Sequence, residues 1–247
     1  MDFTLSFCIT CKNRFWQIRQ TLPKNLFDNR MHKNFVDFIL VDFGSRDGLQ
    51  EWILDEFDEE LSEGYLKYFY TDDLKEWHAS IAKNTAHILS DHFFVVNLDC
   101  DNYTGERGGE FVIASMLKYG VNDTIIHQFN NEYKSGTYGR IAMTRTNFLS
   151  IGGYDESFEP MMHEDADIIK RLFVSGRNYI HLVDREYNQA IPNEREDSFT
   201  NITTNLSWEE MKHINRQASL KNITSGKLVA NADKQRIGVE NIYCLTD

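Results

Sequence analysis

Residues 92–105 read HFFVVNLDCDNYTG: an apolar run, Phe93, Phe94, Val95, Val96, breaks off into two carboxylates two residues apart, Asp99 and Asp101. An ordinary turn needs only Gly or Asn, and adjacent carboxylates repel unless a cation or solvent separates them. At the end of a strand, residues i and i+2 project to one side, so both acids can face one ligand. Hard oxygen donors of this kind suit Mg2+ or Mn2+, which also keep waters and phosphate oxygens in their shell. A D-x-D in isolation reads as a solvated acidic turn. At the end of a buried central strand it favours a metal or ribose contact.

Outward from this stretch, apolar runs alternate with helical patterns. FTLSFCIT (3–10), FVDFILVDF (35–43) and YLKYFYT (65–71) read as strands, and FWQIRQTLPKNLF (15–27), LQEWILDEF (49–57) and WHASIAKNTAHILS (77–90) as helices. Strands that are apolar on both faces and alternate with helices predict an α/β fold with a mostly parallel sheet flanked by helices. Ligands then gather beyond the carboxyl ends of the strands. Segments 10–14, with Thr10, Asn13 and Arg14, 42–47, with Asp42 and Ser45, and 99–101 all lie at such ends and converge on one crevice. The second half predicts a helix over 108–119, strands over 123–129 and 139–144, and a helix over 165–174 with Ile168, Ile169, Leu172 and Phe173 on one face. Beyond about residue 196 the chain is polar, with an amphipathic helix near 207–220. Residues 1–195 therefore read as one domain and 196–247 as a C-terminal extension packed on it.

The 247 residues carry a formal charge of -12. That argues against a nucleic-acid surface, which needs clustered Lys and Arg, and leaves open a phosphate ligand held through a metal. Cys8 and Cys11 have C-x-x-C spacing, but no second Cys or His pair accompanies them, so reduced thiols of a cytoplasmic protein are the reading rather than zinc. The amino terminus lacks the basic region of a signal peptide. No segment approaches the roughly 20 apolar residues of a membrane span, which restricts any membrane contact to a peripheral one.

Three further stretches bear on chemistry. In HEDADIIKRL (163–172), Glu164 and Asp165 fall at a helix amino terminus, where a carboxylate serves equally as a cap or as a general base for an attacking hydroxyl. In GGYDESFEP, Gly152 and Gly153 allow either close ligand approach or a tight loop. Lys83 can neutralise a phosphate, although spacing alone makes an exposed lysine the default.

Together these pieces resemble the GT-A glycosyltransferases, in particular the large family 2 group and its galactosyltransferase-like relatives. SFCITCKNR resembles the group's first-strand motif and ILVDFGSRDG its V-D-D-G-S-x-D-G segment. NLDCDN resembles its D-x-D, and GGYDE followed by HEDAD its acceptor region with the E-D dyad. Four motifs in order span roughly residues 3–195.

The resemblance implies a sugar transferred with inversion from a nucleotide-diphosphate sugar, UDP-linked by analogy, to a glycan, lipid-linked or small-molecule acceptor, with Mn2+ or Mg2+. It implies Thr10 and Asp42 in the nucleotide pocket, Lys83 near the diphosphate, Asp99 with Asp101 on ribose and metal, and Asp101 as the direct ligand. Asp165 matches the base, Glu164 the acid beside it, and Gly152, Gly153 and Tyr154 the acceptor side. Two positions depart from the pattern. Phe43 stands where the group commonly has a second aspartate that touches the base, and the loop QAIPNERED has no histidine where relatives often supply one downstream of the E-D helix, leaving Asn193, His181 from the preceding strand, or water to complete a metal shell. Two rivals stay open: a silent nucleotide-sugar-binding module, and a sugar nucleotidyltransferase, which normally carries a Gly-rich loop where CKNRFWQ has no glycine.

Overall fold

Strands β1 (Leu5–Cys11) and β2 (Val36–Asp42) are buried at every position, as continuous apolar runs become when helices cover both faces of a sheet. They pair in parallel, from Leu5 opposite Val36 to Cys11 opposite Asp42. β3 (Leu66–Tyr70) extends the parallel set beyond β2, and β4 (Phe94–Asn97) flanks β1 on its other side. The carboxyl ends of β1, β2 and β4 consequently share one edge. The computed structural model describes residues 3–130, 136–192 and 199–245.

Past β4 the sheet turns mixed. β7 (Ile141–Thr144) runs antiparallel to β4, β6 (Thr124–Gln128) antiparallel to β7, and β8 (Asn178–Leu182) parallel to β6 at the outer edge. A short strand β10 (Tyr243–Cys244) closes the other edge against β3, while β5 (Asn102–Tyr103) and β9 (Gln189–Ala190) form a separate ribbon. Alternation along β1 divides the core. Leu5, Phe7, Ile9 and Cys11 pack with Ile18, Leu22 and Leu26 of α1 (Phe15–Asn29) and Val112 and Met116 of α5 (Gly108–Tyr119). Cys8 faces the opposite layer, with Ala82 and Ala86 of α4 (Ala79–Ile88), Phe148 of α6 (Arg145–Ser150), and Ile168 and Leu172 of α7 (Glu164–Val174). Three residues of separation along a strand thus put Cys8 and Cys11 on opposite faces of the sheet, where they share no ligand.

The helix expected over 49–57 is α2 (Leu49–Glu56), and a second short helix, α3 (Asp58–Ser62), follows it. The strand expected to run into the acid pair instead stops at Asn97, and the Asn102 amide donates to the Asp99 carbonyl at 2.9 Å. Asp99 and Asp101 are therefore spread around a β-turn rather than aligned on a pleat. In the tail, a capping box on Ser207 and Glu210 starts α8 (Trp208–Thr224), whose Met211, Asn215 and Ser219 are buried. Further on, the Val239 amide donates to Thr85 Oγ1 on α4 at 3.0 Å. Among the described residues no helix is long and apolar enough to cross a membrane.

Arg171 shows how α7 is fixed. Its guanidinium is 1% exposed and donates to Asp167 Oδ2 (2.6 Å), the Ile151 carbonyl (2.8 Å) and the Gly153 carbonyl (2.7 Å). It ties the first turn of the helix to the glycine loop. Arg171→Met leaves a buried carboxylate and two carbonyls without their donor, so urea denaturation is expected to show a loss of about 3–5 kcal/mol. Adding Asp167→Leu to that variant should recover part of the loss, because the uncompensated charge is then gone.

Candidate active site

A cleft of about 640 Å3 opens at the shared edge of β1 and β4 and is lined by Thr10, Arg14, Lys83, Asp99, Asp101, Glu164 and Asp165, among others. Seven of the residues singled out in the sequence meet there. The supporting residues lie behind them. Asp42 is fully buried, accepting from the Ser45 amide (2.8 Å) and the Tyr68 hydroxyl (2.9 Å), so its carboxylate shapes the loop after β2 instead of facing the cleft. Ser45 Oγ in turn accepts from the Asn13 amide at 2.9 Å. Phe43 is buried in the core, and its carbonyl, with that of Leu74, receives the ammonium of Lys12 at 2.6 and 2.9 Å.

Lys83 is 5% exposed, contrary to the default for a lysine on an amphipathic helix. Its Nζ lies 2.9 Å from Glu164 Oε1 and 2.7 Å from Asp165 Oδ1, and 5.4 Å from the centre of the Tyr154 ring. Burial works against the ammonium, but Asp165 and Glu164, with Asp99 behind them, hold it charged. One cation serves two buried acids, and the remaining proton affinity falls on Asp165. Burial raises its pKa to about 8, with Glu164 and Asp99 adding to the rise and Lys83 opposing it. For Glu164, burial acts in the same upward direction, yet Lys83 brings it below the usual carboxylate value.

Asp101 is 7% exposed. Burial, then the neighbouring Asp99, raise its pKa to about 6, while Arg14, 4.0 Å away, opposes. Two close acids in one cleft, with Asp99 making the ionisation of Asp101 harder, form an oxygen donor set that a divalent cation would relieve. The residues thus fit Mn2+ or Mg2+, which Asp101 and Asp99 could hold.

Gly139 was not anticipated. A Cβ there would come 2.6 Å from Asp99 Oδ2 and 3.2 Å from Asp165 Oδ2. The bare backbone lets the acid of the turn and the acid of α7 approach one another across a single residue, and Asn97 secures the arrangement by donating to Asp99 Oδ1 (3.0 Å) and the Gly139 carbonyl (2.9 Å). The entry to α7 is also unusual: Met162 and His163 both have positive φ, 79° and 73°, a conformation that costs a non-glycine residue about 1–3 kcal/mol. Asn215 of α8 holds it by donating to the carbonyls of Met161 (2.9 Å) and Met162 (2.7 Å) and accepting from the Glu159 amide (2.7 Å).

Other expected residues lie elsewhere. His181, on β8, is bonded through Nε2 to the Phe129 carbonyl (2.8 Å), stacks on the Phe129 ring, and does not line the cleft. Asn193 lies outside the described residues. Gly152 and Gly153 serve close approach by the protein's own chain: a Cβ at 152 would meet the Ala230 carbonyl oxygen at 1.9 Å, and one at 153 would meet Asn84 Oδ1 at 2.4 Å. Tyr154 is wholly buried behind Lys83. A separate cluster of Asp37, Asp91 and His92 stands near the amino ends of β2 and β4, where Lys67 already supplies a cation 2.8 Å from Asp37.

No family model and no curated protein matches the sequence. Solved structures do match in fold. The mannosyltransferase PcManGT from Pyrobaculum calidifontis, in complex with GDP-Man and Mn2+, superposes with a TM-score of 0.62 at 15% identity, covering 79% of this chain and 59% of that one. S. aureus TarS in complex with UDP-GlcNAc gives 0.68 at 15% identity over 94% and 68%. GalNAc-T7 with UDP, GalNAc and Mn2+ gives 0.60 at 14% over 73% and 42%. The chain has the GT-A glycosyltransferase fold, within 59% of the length of the mannosyltransferase it matches.

The raised pKa of Asp165 has a stability consequence. A folded pKa of about 8 against an ordinary value of 3.8 means that the folded state binds the extra proton between those limits, so the contribution is fully present below the lower value and is lost as pH rises through the upper one. Asp165→Asn is therefore expected to gain in melting temperature over the wild-type chain at about pH 9, the gain shrinking towards about pH 5. An equal gap at both pH values would refute this.

Proposed function

We propose that the protein is a glycosyltransferase that moves a sugar from a nucleotide-diphosphate donor to an acceptor hydroxyl, inverts the anomeric centre, and uses Mn2+ or Mg2+. The observation that carries this is the approach of Asp99 and Asp165 to either side of Gly139, which gives a donor-side acid and a candidate base one shared cleft. The similarly folded mannosyltransferase, TarS and GalNAc-T7 were solved with GDP-Man, UDP-GlcNAc and UDP respectively, and that supports a nucleotide sugar as the donor class. The carbonyls of Phe43, just past β2, and Leu74, past β3, both receive Lys12, next to the end of β2 where the resemblance puts the nucleotide.

In this reading Asp165 takes the proton of the acceptor hydroxyl as its oxygen attacks the anomeric carbon, and the carbon–oxygen bond to the diphosphate breaks on the opposite face. Asp101 and Asp99 would hold a divalent cation, which would supply electrostatic stabilisation of the departing diphosphate. Glu164 keeps Lys83 charged and in place, and Lys83 orients the Asp165 carboxylate through the 2.7 Å contact. A carboxylic acid with a pKa near 8 is a stronger base once ionised than an ordinary aspartate, at the expense of being protonated below that pH.

A thermal-shift screen of UDP, GDP and their sugars with and without Mn2+ should find a Mn2+-dependent stabiliser, since a ligand selective for the folded state raises the melting temperature. With the donor so found, Asp165→Asn should lower turnover by about 10²–10⁴-fold while keeping the donor shift, and Asp101→Ala should lose the Mn2+-dependent part of the shift. Wild-type kcat/KM should rise with pH along a limb no higher than about 8. Near-native turnover by Asp165→Asn would remove the base assignment, and a chain that no nucleotide or nucleotide sugar stabilises would remove the function.

A further inference from the structure

We infer that the outer half of the cleft binds an acceptor carrying an anionic group, held by Trp208 and Lys212 of α8; this rests on the glycosyltransferase reading above. Four cations line the cleft among the described residues: Lys12, Arg14, Lys83 and Lys212. The first three are engaged internally. Lys12 meets two backbone carbonyls, Arg14 faces Asp101 and Gln17, and Lys83 lies between Glu164 and Asp165. Lys212 differs. Its ion pair, with Glu209, spans 3.9 Å between side chains 49% and 65% exposed, a solvated contact of small energy that a ligand can replace.

Trp208 and Lys212 are four residues apart on one helix and both line the cleft, so they present an aromatic face and an ammonium side by side. Trp77 and the Met161–Met162 turn add apolar surface on the same wall, in a cleft whose donor side is dominated by carboxylates. An indole face suits the C–H face of a sugar or polyol, and the ammonium suits a carboxylate or phosphodiester. The wall is held firmly. Asn215, one turn beyond Met211 on the buried side of α8, is bonded to the Met161 and Met162 carbonyls immediately before Glu164 and Asp165. The helix that carries Lys212 is thereby tied to the turn that leads into Glu164 and Asp165, as recognition of a charged group near the reacting hydroxyl requires. In a chain of net charge -12, a cation placed there discriminates in favour of an anion that the rest of the surface repels.

The test is titration calorimetry in the presence of Mn2+ and whichever of UDP or GDP stabilises the protein, with three oligomeric probes: an oligogalacturonate, a glycerol-phosphate oligomer and neutral maltotetraose. At least one anionic probe should bind about tenfold or more tightly than maltotetraose, and the preference should weaken as salt shortens the Debye length from about 30 Å to about 8 Å. Lys212→Gln should abolish the anionic preference and Lys212→Arg should retain it. Which anionic probe binds tells carboxylate from phosphodiester. Equal binding of the neutral probe, no binding of either anionic one, or a preference that survives Lys212→Gln would overturn the proposal. So would a fall of the nucleotide-induced thermal shift in Lys212→Gln, which would assign this lysine to the diphosphate. Failure of the glycosyltransferase reading itself would be seen separately, as a wild-type chain that neither nucleotide stabilises.

Discussion

The ammonium of Lys83 sits between the carboxylates of Glu164 and Asp165, and that contact ties α4 to the start of α7. Lys83 belongs to α4, the crossover between β3 and β4 in the parallel set; the acids belong to α7, which follows the antiparallel strands. Well-packed apolar side chains in the same volume would commonly be as stable or more so, so stability alone does not account for the triad. Its charge count does better. Two acids sharing one cation leave a group whose ionisation is delayed to about pH 8, and a group that titrates near neutrality suits the proton abstraction proposed for Asp165.

Much of this framework is legible in the sequence because it depends on order rather than on detail. Strands buried on both faces leave continuous apolar runs, and FTLSFCIT, FVDFILVDF and HFFVVN need nothing else to be recognised. Once they are known to alternate with helices, the carboxyl-edge rule brings Thr10, Arg14 and Asp99 together without any knowledge of side-chain geometry. Glu164 and Asp165 are readable as the start of a helix for the same kind of reason.

What escapes the sequence depends on contacts between distant segments. Lys83 has the spacing of a surface lysine, and only the arrival of α7, more than 80 residues later, buries it. Gly139 is the second of two glycines in the polar run YKSGTYGR, with no periodicity to mark it; its value lies in the two acids that its missing side chain admits. Gly152 and Gly153 were legible as positions of close approach, and that is what they are, but the approaching atoms belong to Ala230 and Asn84 rather than to a ligand. The Met162–His163 pair is hidden for the opposite reason: sequences signal left-handed backbone with glycine or asparagine, and here two bulky residues adopt it because Asn215 compels them.

That last arrangement ties the polar tail to the chemistry. A turn of two left-handed residues would relax to a lower-energy path if its carbonyls lacked donors, and the first residues after it are Glu164 and Asp165. Asn215, 1% exposed, donates to the carbonyls of Met161 and Met162, and the Asp167 amide donates to that of His163, so the direction in which α7 enters the cleft depends on how α8 is seated. The seat is set by the capping box that begins α8 at Trp208 and by the burial of Met211 and Ser219 along one face. The same helix that aims Asp165 at the donor side carries Trp208 and Lys212 on its cleft-facing side. The orientation of Asp165 and the outer wall of the cleft consequently both depend on one helix, and a displacement of α8 would alter both together.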